Sequence, residues 1–345
     1  MHAFVYHGPG KGFWESTADP QIEQPTDALV RIDATTVCVG DLHALQGKVS
    51  DVHPGTILGH EAVGEVIEVG SEVHNVVSGD EVVVSSISSC GRCMSCRDGM
   101  YGQCTQGGGW LLGHEVNGTQ AEFVRVPFAD HSTHKLPYAM DRYTAVLFSE
   151  ILPAAFELGV RNGKVRPGSV VVVVGAGPVG LSALVISGIY SPARVISVDL
   201  SPARLAAATS IGADDAELPG RLISDLSDGP GADVVIEAAG TSDSFVLCTR
   251  VVRSGGHIAN IGIHGAPVTL HLEELWRKNV TISTGQVNTS STAWLLDVLT
   301  PEHISSLSQI ITDKCDLEDI LEVYENMAAA TQSRALRTVL RPAPH

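Results

Sequence analysis

An α/β fold in two parts, a β-rich first half followed by a doubly wound parallel sheet, is predicted by three observations. Up to about residue 150 the chain lacks helical periodicity and carries short β-rich runs bounded by Gly, Pro, Asp and Ser. From about Leu152 strand and helix signals alternate. A run of five valines, Val170–Val174, opens directly into a glycine-rich turn and an apolar helix. The 345 residues suit two domains at roughly 100–200 residues each.

In the first half the predicted strands are Ala28–Asp33, Ala62–Val69, Glu81–Ser85 and Glu122–Val126, with Gly79-Asp80 a turn feeding the third. They suggest a barrel or a sandwich. In the second half the order is strand Val170–Val174, helix Val179–Tyr190, strand Arg194–Asp199 and helix Pro202–Ile211. Strand Asp233–Glu237, helix Ser242–Val252 and strand His257–Gly262 continue it. Helical texture follows from about Thr292, and a final strand, Arg337–Leu340, need not belong to the same sheet.

Composition removes several classes. With 44% hydrophobic and 18% charged residues the chain has material for two cores and no disordered bias. A formal charge of -17 repels phosphate backbones and anionic lipid, so neither nucleic acid nor a membrane surface is an expected partner. The uncharged stretch Val170–Ala193 is long enough to span a bilayer, but Gly175, Gly177, Pro178, Gly180 and Gly188 divide it into strand, turn and helix. The N-terminus shows no basic segment leading into an apolar core, so no signal peptide is read and a cytoplasmic location is expected. Seven unevenly placed cysteines do not describe a disulfide-stapled secreted domain.

Gly175-Ala176-Gly177-Pro178-Val179-Gly180 fits G-x-G-x-x-G between a strand and a helix, the context that gives the motif meaning. The first glycine allows the tight turn, the second lets backbone approach a pyrophosphate, and the third lets helix and strand pack closely. Asp199, at the end of the next strand, suits ribose hydroxyls and repels a 2′-phosphate, which favours NAD over NADP. Arg204 is a cation near enough to offset that repulsion. A glycine turn serving packing alone is the ordinary alternative.

Cys90, Cys93, Cys96 and Cys104 form C-x2-C-x2-C-x7-C in a loop rich in Gly and Ser. Four thiolates at this spacing satisfy a tetrahedral structural zinc, with disulfides or an iron–sulfur cluster as rivals. Cys38 and His60 mean little alone, since a buried thiol and a hydrogen-bonded histidine are commonplace. Asp41 and His43 add polar groups beside Cys38, and Glu61 follows His60.

Taken together, the Cys38–His43 segment, Gly59-His60-Glu61 with Gly64, the four-cysteine lobe, the GAGPVG turn and Asp199 resemble the zinc-dependent medium-chain alcohol dehydrogenases. The resemblance runs over essentially the whole chain, and is greatest to the bacterial tetrameric secondary alcohol dehydrogenases and their actinobacterial-type relatives. It implies a GroES-like domain, 1–152 plus 296–345 with a zinc lobe at 88–105, and a Rossmann domain at 153–295. It implies a catalytic zinc on Cys38, His60 and Glu150, with Glu61 behind them or as an exchangeable ligand, and a structural zinc on the four cysteines. His43 would end a proton relay and Trp110 would line the substrate pocket. Ile261, Gly262 and Ile263 would approach the nicotinamide by analogy. Arg337 would meet the cofactor phosphates, a solvated strand-edge charge being its alternative. The implied partners are a small alcohol, aldehyde or ketone and further copies of the chain, as a tetramer or a dimer.

Two departures from the family pattern stand out. Glu150 occupies the place of a Cys or Asp, and Gly40 that of the relay Ser or Thr. The leading expectation is an NAD-dependent zinc alcohol dehydrogenase. Glu150 motivates a polyol or sugar dehydrogenase as an alternative, and Gly40 a conjugated-enal reductase. A dinucleotide-binding sensor without enzymatic activity is the reading from a different class.

Overall fold

The computed structural model describes residues 1–137, 140–222, 229, 231–329 and 336–343. Packing divides the chain into two units, one of residues 1–150, 288–298 and 311–345, the other of 151–287 and 299–310. Residues 288–295 thus group with the first unit and 299–310 with the second. Among the described residues no single helix is long and apolar enough to cross a membrane.

The first unit is built on a seven-stranded sheet in the order Ile311–Asp316, Arg337–Arg341, Ala28–Thr36, Ala62–Val69, Glu81–Val84 and Thr133–Lys135, with Phe123–Val126 also paired to Ala28–Thr36. All pairs are antiparallel except the first, Ile311–Asp316 with Arg337–Arg341. Alternation places Val30, Ile32, Val66, Val82, Val84, Val124 and Val126 in one buried cluster. A second cluster gathers Phe4, Tyr6, Leu45 and Leu58 with Leu317, Ile320 and Tyr324 from the C-terminal segment. That cluster is why the chain's end folds with its beginning. The hairpin His2–Gly8/Lys11–Ser16, the short helix Val39–Leu45 and the strand Ile311–Asp316 carry no strong periodic signal and are additions to the sequence reading.

The second unit holds a six-stranded, all-parallel sheet in the order Asp215–Glu217, Arg194–Val198, Val170–Val174, Ala232–Glu237, Val252–Asn260 and Thr281–Thr284. In order of appearance this is 3-2-1-4-5-6, the dinucleotide-binding arrangement. Val171–Val174 are buried on both faces, as a central parallel strand requires. The uncharged stretch from Val170 resolves into that strand and the helix Pro178–Gly188. The glycine turn between them lies at the carboxyl end of strand 1, where the strand order reverses.

Candidate functional site

Two sets of metal-ligating side chains converge, both in the first unit. In one, ligand atoms of Cys38, His60, Glu61 and Glu150 all lie within 4.8 Å of one another. Cys38 is the residue before the helix Val39–Leu45, and Asp41 in its first turn accepts from the Cys38 N–H at 2.8 Å. His60 and Glu61 precede the strand Ala62–Val69. Gly59 reaches this point at φ +95°, where a Cβ would collide with Gln120 and Thr119. Glu150 is brought in by Ser149, whose Oγ accepts from Ala62 N at 3.2 Å and donates to Ala62 O at 3.1 Å.

Glu150 Oε2 stands 3.1 Å from His60 Nε2 and 3.7 Å from Cys38 Sγ. Ligands on a tetrahedral zinc with ordinary bond lengths are separated by about 3.4 Å for nitrogen to oxygen and about 3.6 Å for sulfur to oxygen. Both spacings lie close to those values, so the donor set fits a zinc ion with small adjustments. On the far side of the imidazole, Nδ1 of His60 lies 3.0 Å from Asp41 Oδ1. Burial works against a charged imidazole here, but Asp41 and Glu150 outweigh it and raise the His60 pKa well above its ordinary value. Burial and the neighbouring Glu150 push the Cys38 thiol up. Burial also opposes ionisation of Glu150, yet His60 and Arg337 hold its carboxyl below the usual range.

Arg337 is buried, and its Nη2 donates to Glu61 Oε1 and to Thr36 Oγ1. The solvated strand-edge alternative for this residue is thereby corrected: the strand Arg337–Arg341 is covered on one side by Ile311–Asp316 and on the other by Ala28–Thr36. Glu61 faces the guanidinium with one oxygen and leaves Oε2 without a hydrogen bond among the described residues. Burial raises its pKa, with Arg337 opposing.

Trp110 meets His60 edge to face at 5.4 Å and stacks on His114 at 4.9 Å. A Cβ on Gly40 would touch the Trp110 ring at 3.5 Å and His60 Cε1 at 3.7 Å, ordinary contact distances. Glycine at 40 is thus no steric necessity. His43 is half-buried on the same helix, its pKa lowered by burial and by Lys48.

The second set is Cys90, Cys93, Cys96 and Cys104. All four are free thiols, with sulfurs 3.4 Å apart for Cys93–Cys96 and 3.9 Å for Cys90–Cys96. A disulfide needs about 2.05 Å, whereas sulfurs around one zinc sit about 3.8 Å apart. N–H groups of Thr105 and Cys96 pull the Cys93 thiol down to about 5, while burial and the adjoining thiols push Cys96 up to about 12. Backbone donors aimed at sulfur suit a loop that stores thiolates.

In the second unit Gly175 has φ +102° and no room for a Cβ against Ala238 and Ala239, and a Cβ on Gly180 would strike Gly175 O. Gly177 faces open space, followed by Pro178 and Val179 in the first turn of the helix. Asp199 accepts from Ala176 N and Ser201 N, both at 2.8 Å, so its carboxylate ties the turn to the next strand. Arg204 Nη1 is 3.8 Å from it. Ile261 and Gly262 donate their N–H groups to Glu237 O, and Ile263 is exposed.

Sequence reasoning missed Glu237, which is fully buried and accepts at Oε1 from Ala239 N, Gly240 N and Ser244 Oγ. It missed Asn260, whose Nδ2 donates to Gly262 O. It also missed Gln120 and Tyr324, below the metal-ligating cluster. His134 is half-buried on its strand, with Nε2 unpartnered among the described residues.

Comparison with known proteins agrees with this architecture. Residues 24–138 match the family model of the alcohol dehydrogenase GroES-like domain, and 178–300 that of the zinc-binding dehydrogenase. The chain is 33% identical over 311 residues to zinc-type alcohol dehydrogenase B of Aspergillus flavus, covering 87% of this chain and 72% of the relative. It is 34% identical over 284 residues to the NADP-dependent isopropanol dehydrogenase of Thermoanaerobacter brockii, covering 80% and 79%. Among solved structures, the apo form of zinc dependent alcohol dehydrogenase 2 from Streptococcus pneumonia superposes with a TM-score of 0.91 at 38% identity, covering 100% of this chain and 99% of that one. With both domain models matched and relatives covered over most of their length, the chain belongs to the zinc-dependent medium-chain alcohol dehydrogenase family.

Proposed function

We propose that this protein transfers hydride reversibly between NAD(H) and a small or medium alcohol or its aldehyde or ketone. The observation that carries the reading is the convergence of thiol, imidazole and carboxylate on one point, within 4.8 Å of each other. Cys38, His60 and Glu150 would hold a zinc ion, which when bound supplies a Lewis acid that acidifies an alcohol hydroxyl or polarises a carbonyl. Thiolate, neutral imidazole and carboxylate match its two positive charges, so an added alkoxide meets no net repulsion. The ligand distances favour direct binding by Glu150 over binding through water.

The other residues then take distinct parts. Asp41 orients His60, and Arg337 balances Glu61. Trp110 gives the site an apolar wall. Gly40 offers no hydroxyl, so the alcohol proton leaves through water, the cofactor ribose or Glu61 rather than a side chain linking to His43. Asp199, holding the glycine turn, favours NAD because a 2′-phosphate beside it meets a second negative charge. The four cysteines would hold a second, structural zinc.

Protein purified without chelator tests the reading directly. Two zinc ions per chain are expected, with one lost in Cys38→Ala and the other in Cys93→Ser. NADH formation with primary or secondary alcohols is expected to disappear in Cys38→Ala. Doubly zinc-loaded protein that forms no NADH or NADPH with primary, secondary or aromatic alcohols overturns the proposal. A second reading rests on Gly40: reduction of a conjugated C=C bond, in which carbonyl protonation is less central. Product analysis that yields only the allylic alcohol from an enal ends it.

A further inference from the structure

Asp41 is nearly fully buried, and it accepts hydrogen bonds on one side and meets the His60 imidazole on the other. Its Oδ2 accepts from Cys38 N at 2.8 Å and from Gln120 Nε2 at 3.2 Å, and its Oδ1 faces His60 Nδ1 at 3.0 Å. A carboxylate 3.0 Å from Nδ1 favours the hydrogen of a neutral His60 on that nitrogen and leaves the lone pair of Nε2 toward Cys38 and Glu150. The next link is Gln120, fully buried. Its Nε2 donates also to Thr36 O at 3.1 Å, and its Oε1 accepts from the Tyr324 hydroxyl at 2.8 Å. Turning the amide over would set its oxygen against two acceptors, so its partners fix its orientation. Tyr324 is buried on the helix Ile320–Ala329 with its ring stacked on Phe4 at 5.0 Å.

We propose that Gln120 and Tyr324 are positioning residues for the metal centre: through Asp41 they fix the face that His60 presents to the ion. The proposal rests on reading Cys38, His60 and Glu150 as that centre. The row does not carry protons, since a carboxamide at neutral pH neither gives nor takes one; it holds orientation. It also ties a helix late in the sequence to a ligand early in it, Tyr324 lying 204 positions after Gln120. Removing a partner of a metal ligand typically weakens metal binding about 10- to 100-fold. One link further out, the effect falls at or below the lower bound, about tenfold for Gln120→Leu and about threefold for Tyr324→Phe.

The test is zinc release from the full chain against a graded series of chelator, with metal counted per chain in wild type, Gln120→Leu and Tyr324→Phe. The four-cysteine zinc in the same molecule is the internal reference. Cobalt exchanged into the centre alone reports the ligand field through its d–d bands. The expected result is earlier loss of the centre's zinc by the stated factors, a shifted cobalt spectrum in Gln120→Leu and an unchanged four-cysteine site. Tyr324→Phe keeps the ring stack, so it separates loss of the hydroxyl from loss of folding. If both variants release zinc as wild type does, or if both sites weaken together, the positioning role is overturned. If wild type itself holds only the four-cysteine zinc, the metal-centre reading falls first and takes this inference with it.

Discussion

Glu61 and Arg337 lie 276 residues apart in sequence and form a buried ion pair beside the proposed zinc ligands. A buried pair is a poor source of net stability, because desolvation consumes most of the attraction, yet breaking it by one partner is costly. Arg337→Met removes the guanidinium that faces the Glu61 carboxyl, with Glu150 still beside it. Burial already raises the pKa of that carboxyl, so it takes up a proton instead of staying charged. The expected loss is therefore at the low end of the usual range, about 3 kcal/mol in urea unfolding at neutral pH. The double variant Glu61→Gln/Arg337→Met is expected to recover most of it. A double variant no more stable than Arg337→Met would show that the guanidinium acts through packing and not through charge. Gly40 poses the complementary question, since its surroundings admit a side chain. Gly40→Ser places a hydroxyl on the helix carrying His43 and is expected to raise alcohol oxidation by about tenfold or more, given that positioned acid–base groups contribute about 10²–10⁴-fold. Steady-state rates that stay level or fall would mean that proton export is not limited at this position.

At the scale of elements, the strand Thr133–Lys135 leaves His134 half-buried, and its pKa falls to about 4 through desolvation of the ring and the nearby His131. The native state therefore binds fewer protons than the unfolded one between the two pKa values, and stability rises with pH across that window. The contribution is intact above the unfolded value of about 6.5 and is lost as pH falls toward about 4. Between about pH 7.5 and about pH 5.5 the loss amounts to about 1 kcal/mol. Wild type is expected to lose that much more than His134→Gln over this range, measured by urea unfolding with zinc present. Parallel curves would place a proton acceptor on His134 in solution. The elements themselves were largely legible in the sequence, because the β-rich run Ala62–Val69, which stops at Gly70, and the valine run Val170–Val174 both mark strands. The strand Val252–Asn260 starts earlier than its apolar segment, because buried Val252 already pairs with Ala232 before the register shifts and His257 pairs with Val234. The three-glycine turn and the four-cysteine loop were legible because the chemistry sits within a few residues. Glu61–Arg337 and Asp41–Gln120–Tyr324 were not, because long-range pairing creates them and no local pattern records it.

For the whole molecule, two ligands are expected to leave separate signatures in one chain, because each acts on backbone that lacks other support. The lobe around Cys90–Cys104 has few buried apolar side chains of its own, with Cys96 buried and Met94 and Met100 exposed. With the proposed zinc on the four sulfurs its order would depend on that shared metal, so stripping zinc is expected to raise amide hydrogen exchange across residues 90–109. Strands such as Ala62–Val69, held by a close-packed valine cluster, are expected to keep their protection. NADH, the proposed coenzyme, would act elsewhere. Gly177 faces open space, and the amides opening the helix Pro178–Gly188 have no residue before them to accept their hydrogens. Binding is expected to slow exchange at residues 175–181 and at 199–201, where Asp199 ties the turn to its neighbouring strand. At about 100 times its dissociation constant the ligand adds about 2.7 kcal/mol to the stability of whatever unfolds with its site. Protection by NADH at these positions in protein stripped of both zincs would show that coenzyme recognition belongs to the parallel-sheet unit alone. Protection that vanishes on stripping would assign part of that recognition to the metal-bearing unit, and Arg337, buried against Glu61, would be the first side chain to substitute in locating it.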